Sequence, residues 1–232
     1  MARVPKPLGI FALGDLAAYV EFSPKLDLEV NDFVQRFALV VQEQGMPALR
    51  DVVPALGGLA LHFDASFDGD VVEAATQLVD VCLKKSLPDS DQLGRRVEVP
   101  VCYEGDFAPD LADIAARTKL SPEEVIKRHT GSDYRVLMIG FAPGHAYMAG
   151  LDAKLAVPRR ASPRAEVPAG SVAIANDQTV VYPYAIAGGW NVIGRTPLVV
   201  FDAFRARPSL FMTGDRVRFL PISKAQFMSF AR

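Results

Sequence analysis

The sequence predicts a two-part chain: a small α+β domain of two-layer sandwich type over residues 1–90, then a mainly-β domain over residues 91–232. Three observations predict it. Strand-like and helix-like patterns alternate through the first ninety residues, a polar aperiodic stretch follows, and from Tyr134 onward short apolar runs are broken by Gly and Pro turns. At 232 residues the chain is long enough for two cores.

In the first part, Leu8 to Leu13 and Ala17 to Phe22 read as two strands around the turn signal Gly14-Asp15. Val30, Phe33, Val34, Phe37, Val40 and Val41 follow helical spacing, and Gly45 stands where that helix would stop. Leu49 to Val53 and Leu59 to Phe63 form a second strand pair around Pro54 and Gly57-Gly58. A second amphipathic helix places Val72, Ala75, Val79 and Cys82 on one face. Paired strands with two helices on one side of an antiparallel sheet make a compact sandwich.

Ser86 to Gly94 contains Pro88 and Asp89-Ser90-Asp91 and has no periodicity, so the domain boundary is placed there. The next strand alternates: Val97, Val99, Val101 and Tyr103 point one way, and Pro100 argues for an edge or a bulge. Two short helices follow, one through Leu111 and Ile114. The other opens with Ser121 as N-cap, Pro122 at the first helical position and Glu124 closing a capping box. Short strands are then expected at Val136–Phe141, Ser171–Ala175, Thr179–Tyr182, Val192–Gly194, Leu198–Phe201 and Val217–Leu220, with Asn176-Asp177 as a hairpin turn. This spacing favours a β-barrel or a sandwich.

Composition narrows the function. A net charge of -2 from 25 basic and 27 acidic residues gives no global drive toward nucleic acid or anionic lipid. The 50% hydrophobic content comes without a membrane-length apolar run, so part of it is expected to cover a partner interface. Cys82 and Cys102 fall in apolar patterns and read as buried free thiols, which fits a cytoplasmic location. The N-terminal segment does not make a signal peptide. There is no Gly-rich phosphate loop, no His-Glu-x-x-His and no Cys-x-x-Cys, and three histidines in all make a zinc site improbable.

The chemistry-bearing residues concentrate between Phe141 and Pro197. His129 lies on the apolar face of its helix and reads as a core or helix-end histidine. His145, inside Pro143-Gly144-His145-Ala146-Tyr147, is either a ligand or acid–base group facing a cavity or a surface loop histidine. Arg159, Arg164 and Arg195 sit beside prolines and glycines, in a local cationic surplus that suits a carboxylate or phosphate if it is not a solvated face. Gln178 could orient an amide, and Tyr147, Tyr182 and Trp190 could wall a pocket or simply pack. Glu104, Asp106 and Asp110 offer a general base or magnesium ligands, with Asp110 better suited to stabilising a helix start.

The ordered motifs Leu61-His62-Phe63-Asp64, Val101-Cys102-Tyr103, Gly140-Phe141-x-Pro143-Gly144, Ser162-Pro163-Arg164, Val167-Pro168-x-Gly170-Ser171, Gln178-Thr179-x-x-Tyr182-Pro183 and Gly189-Trp190-x-x-Ile193-Gly194-Arg195-Thr196-Pro197 together resemble the family of the bacterial 5-oxoprolinase B subunit, also described as allophanate hydrolase subunit 1 or the sporulation kinase-inhibitor family. The resemblance spans nearly the whole chain. Members often carry an aromatic residue where this chain has His145. It implies that the second domain is a cyclophilin-like β-barrel. It further implies work with the homologous C subunit and the A subunit of 5-oxoprolinase to open the lactam of 5-oxoproline to glutamate, using ATP with Mg2+, and little activity for the chain alone. A urea amidolyase-type carboxyltransferase role, or docking on a histidine kinase, are the alternatives. The resemblance does not assign roles residue by residue; from residue chemistry and motif position the expected site combines Arg159, Arg164 and Arg195 for anionic groups, Gln178 and Tyr147 for orientation, and His145 for proton transfer.

Overall fold

In the computed structural model, residues 5–89 and 94–230 are described, and the chain divides into two compact units, residues 1–93 and 94–232. Residues 90–93 of the polar stretch and residues 1–4 of the opening segment lie outside the described residues.

The first unit orders its elements as β1 (Gly9–Ala12), β2 (Ala17–Glu21), α1 (Leu28–Gln44), β3 (Leu49–Pro54), β4 (Gly58–Phe63) and α2 (Val71–Cys82). The four strands form one antiparallel sheet in the order β1-β2-β4-β3. Both helices begin where a carboxylate meets unpaired backbone N–H groups: Asp27 accepts from Glu29 and Val30, and Asp70 from Val72 and Glu73. Gly45, at φ 63, ends α1 as its spacing suggests. The apolar faces of the helices and sheet share one core, in which Phe22, Phe33 and Phe37 pack with ring centroids 5.0, 5.7 and 5.4 Å apart. Asn31, fully buried on α1, donates from Nδ2 to the carbonyls of Ala55 and Leu56, which fixes the β3–β4 turn against the helix.

The second unit contains β5 (Arg96–Cys102), α3 (Leu111–Thr118), α4 (Pro122–Thr130), β6 (Tyr134–Ile139), β7 (Ala146–Ala149), β8 (Arg164–Val167), β9 (Ser171–Ala175), β10 (Gln178–Val181), β11 (Ile186–Gly188), β12 (Asn191–Arg195), β13 (Arg216–Ile222) and α5 (Lys224–Ser229). Seven strands close a mixed barrel in the order β10-β7-β6-β13-β5-β12-β9, and β8 and β11 form a separate two-stranded ribbon. The barrel therefore decides between the two β architectures left open by the strand spacing. Asn176 takes φ 52 in the tight β9–β10 hairpin, as its side chain permits. Over most of its length β5 is paired only to β13, because β12 meets it only at Arg195↔Cys102, and this open flank accommodates Pro100.

Three expectations need correction. Leu198 to Phe201 is not a barrel strand: it makes one isolated bridge, Phe201↔Ser209, and Leu210 N–H donates to Val200 O, so the segment folds onto its own return. Ser121 caps α4 by accepting from Glu124 N–H, but the Glu124 carboxylate turns to Arg128, 2.7 Å away, instead of completing a capping box. Asp110 stands at the N-cap of α3 without capping it, and its carboxylate is committed elsewhere. The strands β7, β8 and β11 also go beyond what the sequence pattern predicts. Cys82 and Cys102 are buried free thiols. Among the described residues no helix is long and apolar enough to cross a membrane.

Candidate functional site

A cavity of about 300 Å³ opens at the rim of the barrel, walled by side chains from four segments. The loop from Gly140 into β7 supplies Phe141, His145 and Tyr147, the end of β10 supplies Tyr182, the segment before β8 supplies Arg159 and Pro163, and the turn before β12 supplies Gly188, Gly189 and Trp190.

The Gly140–His145 loop is closed by two backbone bonds, Gly140 N–H to His145 O at 3.1 Å and His145 N–H to Ala142 O at 2.9 Å. Gly144 takes φ 78, where any Cβ would come within 2.8 Å of Phe201 Cβ. Phe141 adopts φ 70, a left-handed conformation that costs a bulky residue free energy, and its ring stands 66% exposed at the cavity mouth. Strain at such a position accompanies a constraint other than packing. At the opposite wall a side chain on Gly188 would collide with the Tyr182 hydroxyl, so the turn lets the ribbon approach that ring.

His145 lies in the floor, 1% exposed, inside an aromatic box. Its ring meets Phe141 at 5.4 Å, Tyr147 at 4.9 Å and Tyr182 at 5.4 Å between centroids. Burial among these rings lowers its pKa to about 4, so the imidazole is neutral at neutral pH. Its Nδ1 is buried and has no hydrogen-bond partner among the described residues, a state native interiors rarely leave unfilled. Burial also raises the Tyr147 and Tyr182 hydroxyls, which stay protonated donors. The one charged group in the lining is Arg159, exposed, with its guanidinium 5.5 Å above the Trp190 ring and no carboxylate partner among the described residues. An open cation over an indole, flat aromatic walls and a neutral, unsatisfied imidazole suit a small planar molecule with one negative charge and a polar amide edge.

Of the residues singled out in the sequence, His145, Tyr147 and Arg159 come together in this cavity. Arg164 does not line it: both of its terminal nitrogens hold Asp110, at 2.8 Å each. Arg195 donates from Nε to Ala169 O at 2.8 Å, and Gln178 opens β10 opposite Ala149 and Ala175; neither lines the cavity. Trp190 is both core and wall, 5% exposed and packed with Tyr182 and Val192. Sequence reasoning misses Phe141 and Pro163 as site residues, and the available clue to Phe141 is an aromatic residue set between Gly140 and Pro143. His129 is a core histidine, fully buried with Nδ1 2.8 Å from the Tyr103 hydroxyl and Nε2 3.2 Å from Thr179 Oγ1. Among the described residues no group of three or more His, Cys, Asp or Glu is placed to hold a metal ion, so Glu104, Asp106 and Asp110 do not gather as magnesium ligands.

The family described as "Carboxyltransferase domain, subdomain C and D" matches residues 8–211. The B subunit of 5-oxoprolinase from Bacillus subtilis (strain 168) is 38% identical over 226 residues, covering 94% of each chain. That of Escherichia coli O157:H7 is 37% identical over 216 residues, 91% of this chain and 94% of the relative. The crystal structure of TTHA0988 superposes with a TM-score of 0.76 at 36% identity, over 89% of this chain and 40% of that longer one. The K. lactis urea amidolyase shares the fold, with a TM-score of 0.74 at 18% identity over 95% of this chain and 15% of that one.

Proposed function

Because the chain belongs to the carboxyltransferase-domain family, and within it to the B subunits of 5-oxoprolinase, we propose that it is one component of a cytoplasmic, ATP-dependent 5-oxoprolinase, acting with homologues of the C and A subunits. The reaction joins 5-oxoproline, ATP and two waters to give glutamate, ADP and phosphate. A lactam is a resonance-stabilised amide, and transfer of the terminal phosphate of ATP to its oxygen opens the carbonyl carbon to attack by water; the ring C–N bond then breaks to leave an acyl phosphate, which the second water hydrolyses to glutamate and phosphate. The observation that carries the reading for this chain is the rim cavity, in which Arg159 stands free above Trp190 and His145 Nδ1 is unsatisfied.

Each wall has a part in that reading. Arg159 takes the carboxylate of 5-oxoproline. The ring lies against Trp190 and Tyr182, and the lactam edge meets His145. A ring held at a pKa of about 4 does not carry a proton at neutral pH, so His145 accepts a hydrogen bond from the lactam N–H and orients it. Tyr147 donates from its hydroxyl. The described residues of this chain do not fit ATP with Mg2+: no three acidic groups among them gather, and Asp110 is held by two arginines. The nucleotide is therefore assigned to one of the partner proteins, and no step on this chain runs through it. The same cavity chemistry would admit allophanate, another small carboxylated amide, which the assay must include.

The test is reconstitution of the purified chain with both partner proteins. Glutamate is expected from 5-oxoproline only with ATP and all three components. Arg159→Ala is expected to raise KM for 5-oxoproline by about 10- to 100-fold, as the loss of a charge-assisted hydrogen bond of about 1.5–3 kcal/mol implies. An unchanged KM removes Arg159 and the cavity from the proposal, and ATP-dependent turnover of allophanate alone moves the chain to the urea amidolyase branch.

A further inference from the structure

Arg160, the neighbour of Arg159, is held by a residue fifty positions away in the chain. Asp110 is 3% exposed and accepts four hydrogen bonds: from Arg160 Nη1 at 2.7 Å, Arg164 Nη1 and Nη2 at 2.8 Å each, and Val192 N–H at 2.7 Å. Its own N–H donates to Val192 O at 3.0 Å, so the carboxylate is locked to β12 before it reaches the arginines. The two arginines enclose Ala161 to Pro163, and Arg159 immediately precedes the first of them. On one side of Arg159, Asn191 Nδ2 donates to Pro158 O at 3.1 Å; on the other, Arg160 N–H donates to Gly189 O at 2.8 Å. These bonds hold both backbone neighbours of Arg159, while its own guanidinium is left with Trp190.

We propose that Asp110 is a positioning residue for the cavity: it buckles the segment from Pro158 to Arg164 onto β12 and so holds the Arg159 guanidinium over Trp190. The chain thereby uses two arginines as structural cations to place a third as a ligand. A carboxylate buried with two guanidinium groups is strongly directional, because removing its charge leaves both cations to find water and lets the segment lift. The activity arm of this inference rests on the function proposed above; the spectroscopic arm does not.

The perturbation is Asp110→Asn, which keeps the shape and removes the charge. Trp190 is the sole tryptophan, so acrylamide quenching of its fluorescence in the full chain reads the cover over the cavity directly. Quenching is expected to rise severalfold under conditions where circular dichroism shows the fold retained. In the reconstituted assembly KM for 5-oxoproline is expected to rise at least about tenfold with kcat within about twofold, since a displaced cation weakens binding while the reacting groups stay in place. Wild-type quenching together with wild-type KM overturns the proposal. If Asp110→Asn does not fold, Arg164→Lys serves: it loses the bidentate pair but leaves Arg160 and Val192 on Asp110, and unchanged quenching there overturns the proposal equally. If the wild-type assembly shows no 5-oxoprolinase activity, the proposed function fails and the quenching result alone decides the role of Asp110.

Discussion

Acid should weaken this protein through two histidines, and the size of the effect can be worked from their surroundings. His129 is fully buried against Tyr103, Tyr134 and Phe219, and burial lowers its pKa to about 3; His145, in its aromatic box, is lowered to about 4. Thr179 Oγ1 gives its proton to Ala173 O, so the hydrogen-bond network assigns the ring proton of His129 to Nε2, and Nδ1 accepts from the Tyr103 hydroxyl. Protonating Nδ1 would reverse that bond and place a charge in the buried core, and it is burial that opposes it. Both groups have folded pKa values below the ordinary 6.5. The unfolded chain therefore binds protons that the folded chain refuses: full stability holds above about pH 6.5 and is lost as pH falls, until the loss is complete near pH 4 for His145 and pH 3 for His129. At about 1.4 kcal/mol per pH step, each contributes roughly 2 kcal/mol of loss by pH 5, or about 4 kcal/mol together. That is a large part of the ~5–15 kcal/mol by which ordinary domains are stable. Urea unfolding followed by Trp190 fluorescence at pH 7.5, 6 and 5 measures it, because the single tryptophan lies in the barrel unit with both histidines. In His145→Phe, which fills the box with an apolar ring, the loss between pH 7.5 and pH 5 should fall to about half. Equal losses in variant and wild type would refute the reasoning.

Two further outcomes follow from local geometry. Gly144→Ala should destabilise by roughly 1–3 kcal/mol, or about 2–10 °C in thermal midpoint, because the new methyl meets Phe201 at a backbone φ of 78; an unmoved midpoint contradicts the strain. Cys82 and Cys102, both 0% exposed and raised in pKa by burial, should resist a thiol reagent at neutral pH and react together once unfolded. Fast labelling of either in the native chain, read by mass spectrometry, would contradict their placement.

Much of the fold is legible in the sequence because it is locally encoded. The α1 face, the stop at Gly45, the Ser121 cap and the Asn176-Asp177 hairpin each depend on neighbours a few residues away. Strand β7 is not, because Ala146 to Ala149 is nearly all buried and gives no alternation. The ribbon of β8 and β11 fails for a different reason: its apolar contact is one pair, Val167 opposite Ile186, and strands of four and three residues are too short to show alternation. For the cavity, Gly and Pro density marks the right loops, and the aromatic and His145 walls come from them. Sorting the arginines needs long-range pairing. Arg164 meets Asp110 across 54 positions and Arg160 across 50, and no local pattern distinguishes these from Arg159, which stays free.

The barrel is closed by a parallel pairing of β5 with β13, residue Arg96 opposite Arg216 through Cys102 opposite Ile222, reinforced by Arg95 on Asp215 at 2.7 Å. A growing polypeptide must therefore hold an unfinished cylinder, with the β13-facing edge of β5 exposed, until some 120 further residues have been made. The sheet of the first unit needs no pairing longer than that of β2 with β4, Ala17 opposite His62, and so has a much shorter wait. On the ribosome, an early compact unit followed by a late-sealing one makes that exposed flank the natural place for a chaperone to guard.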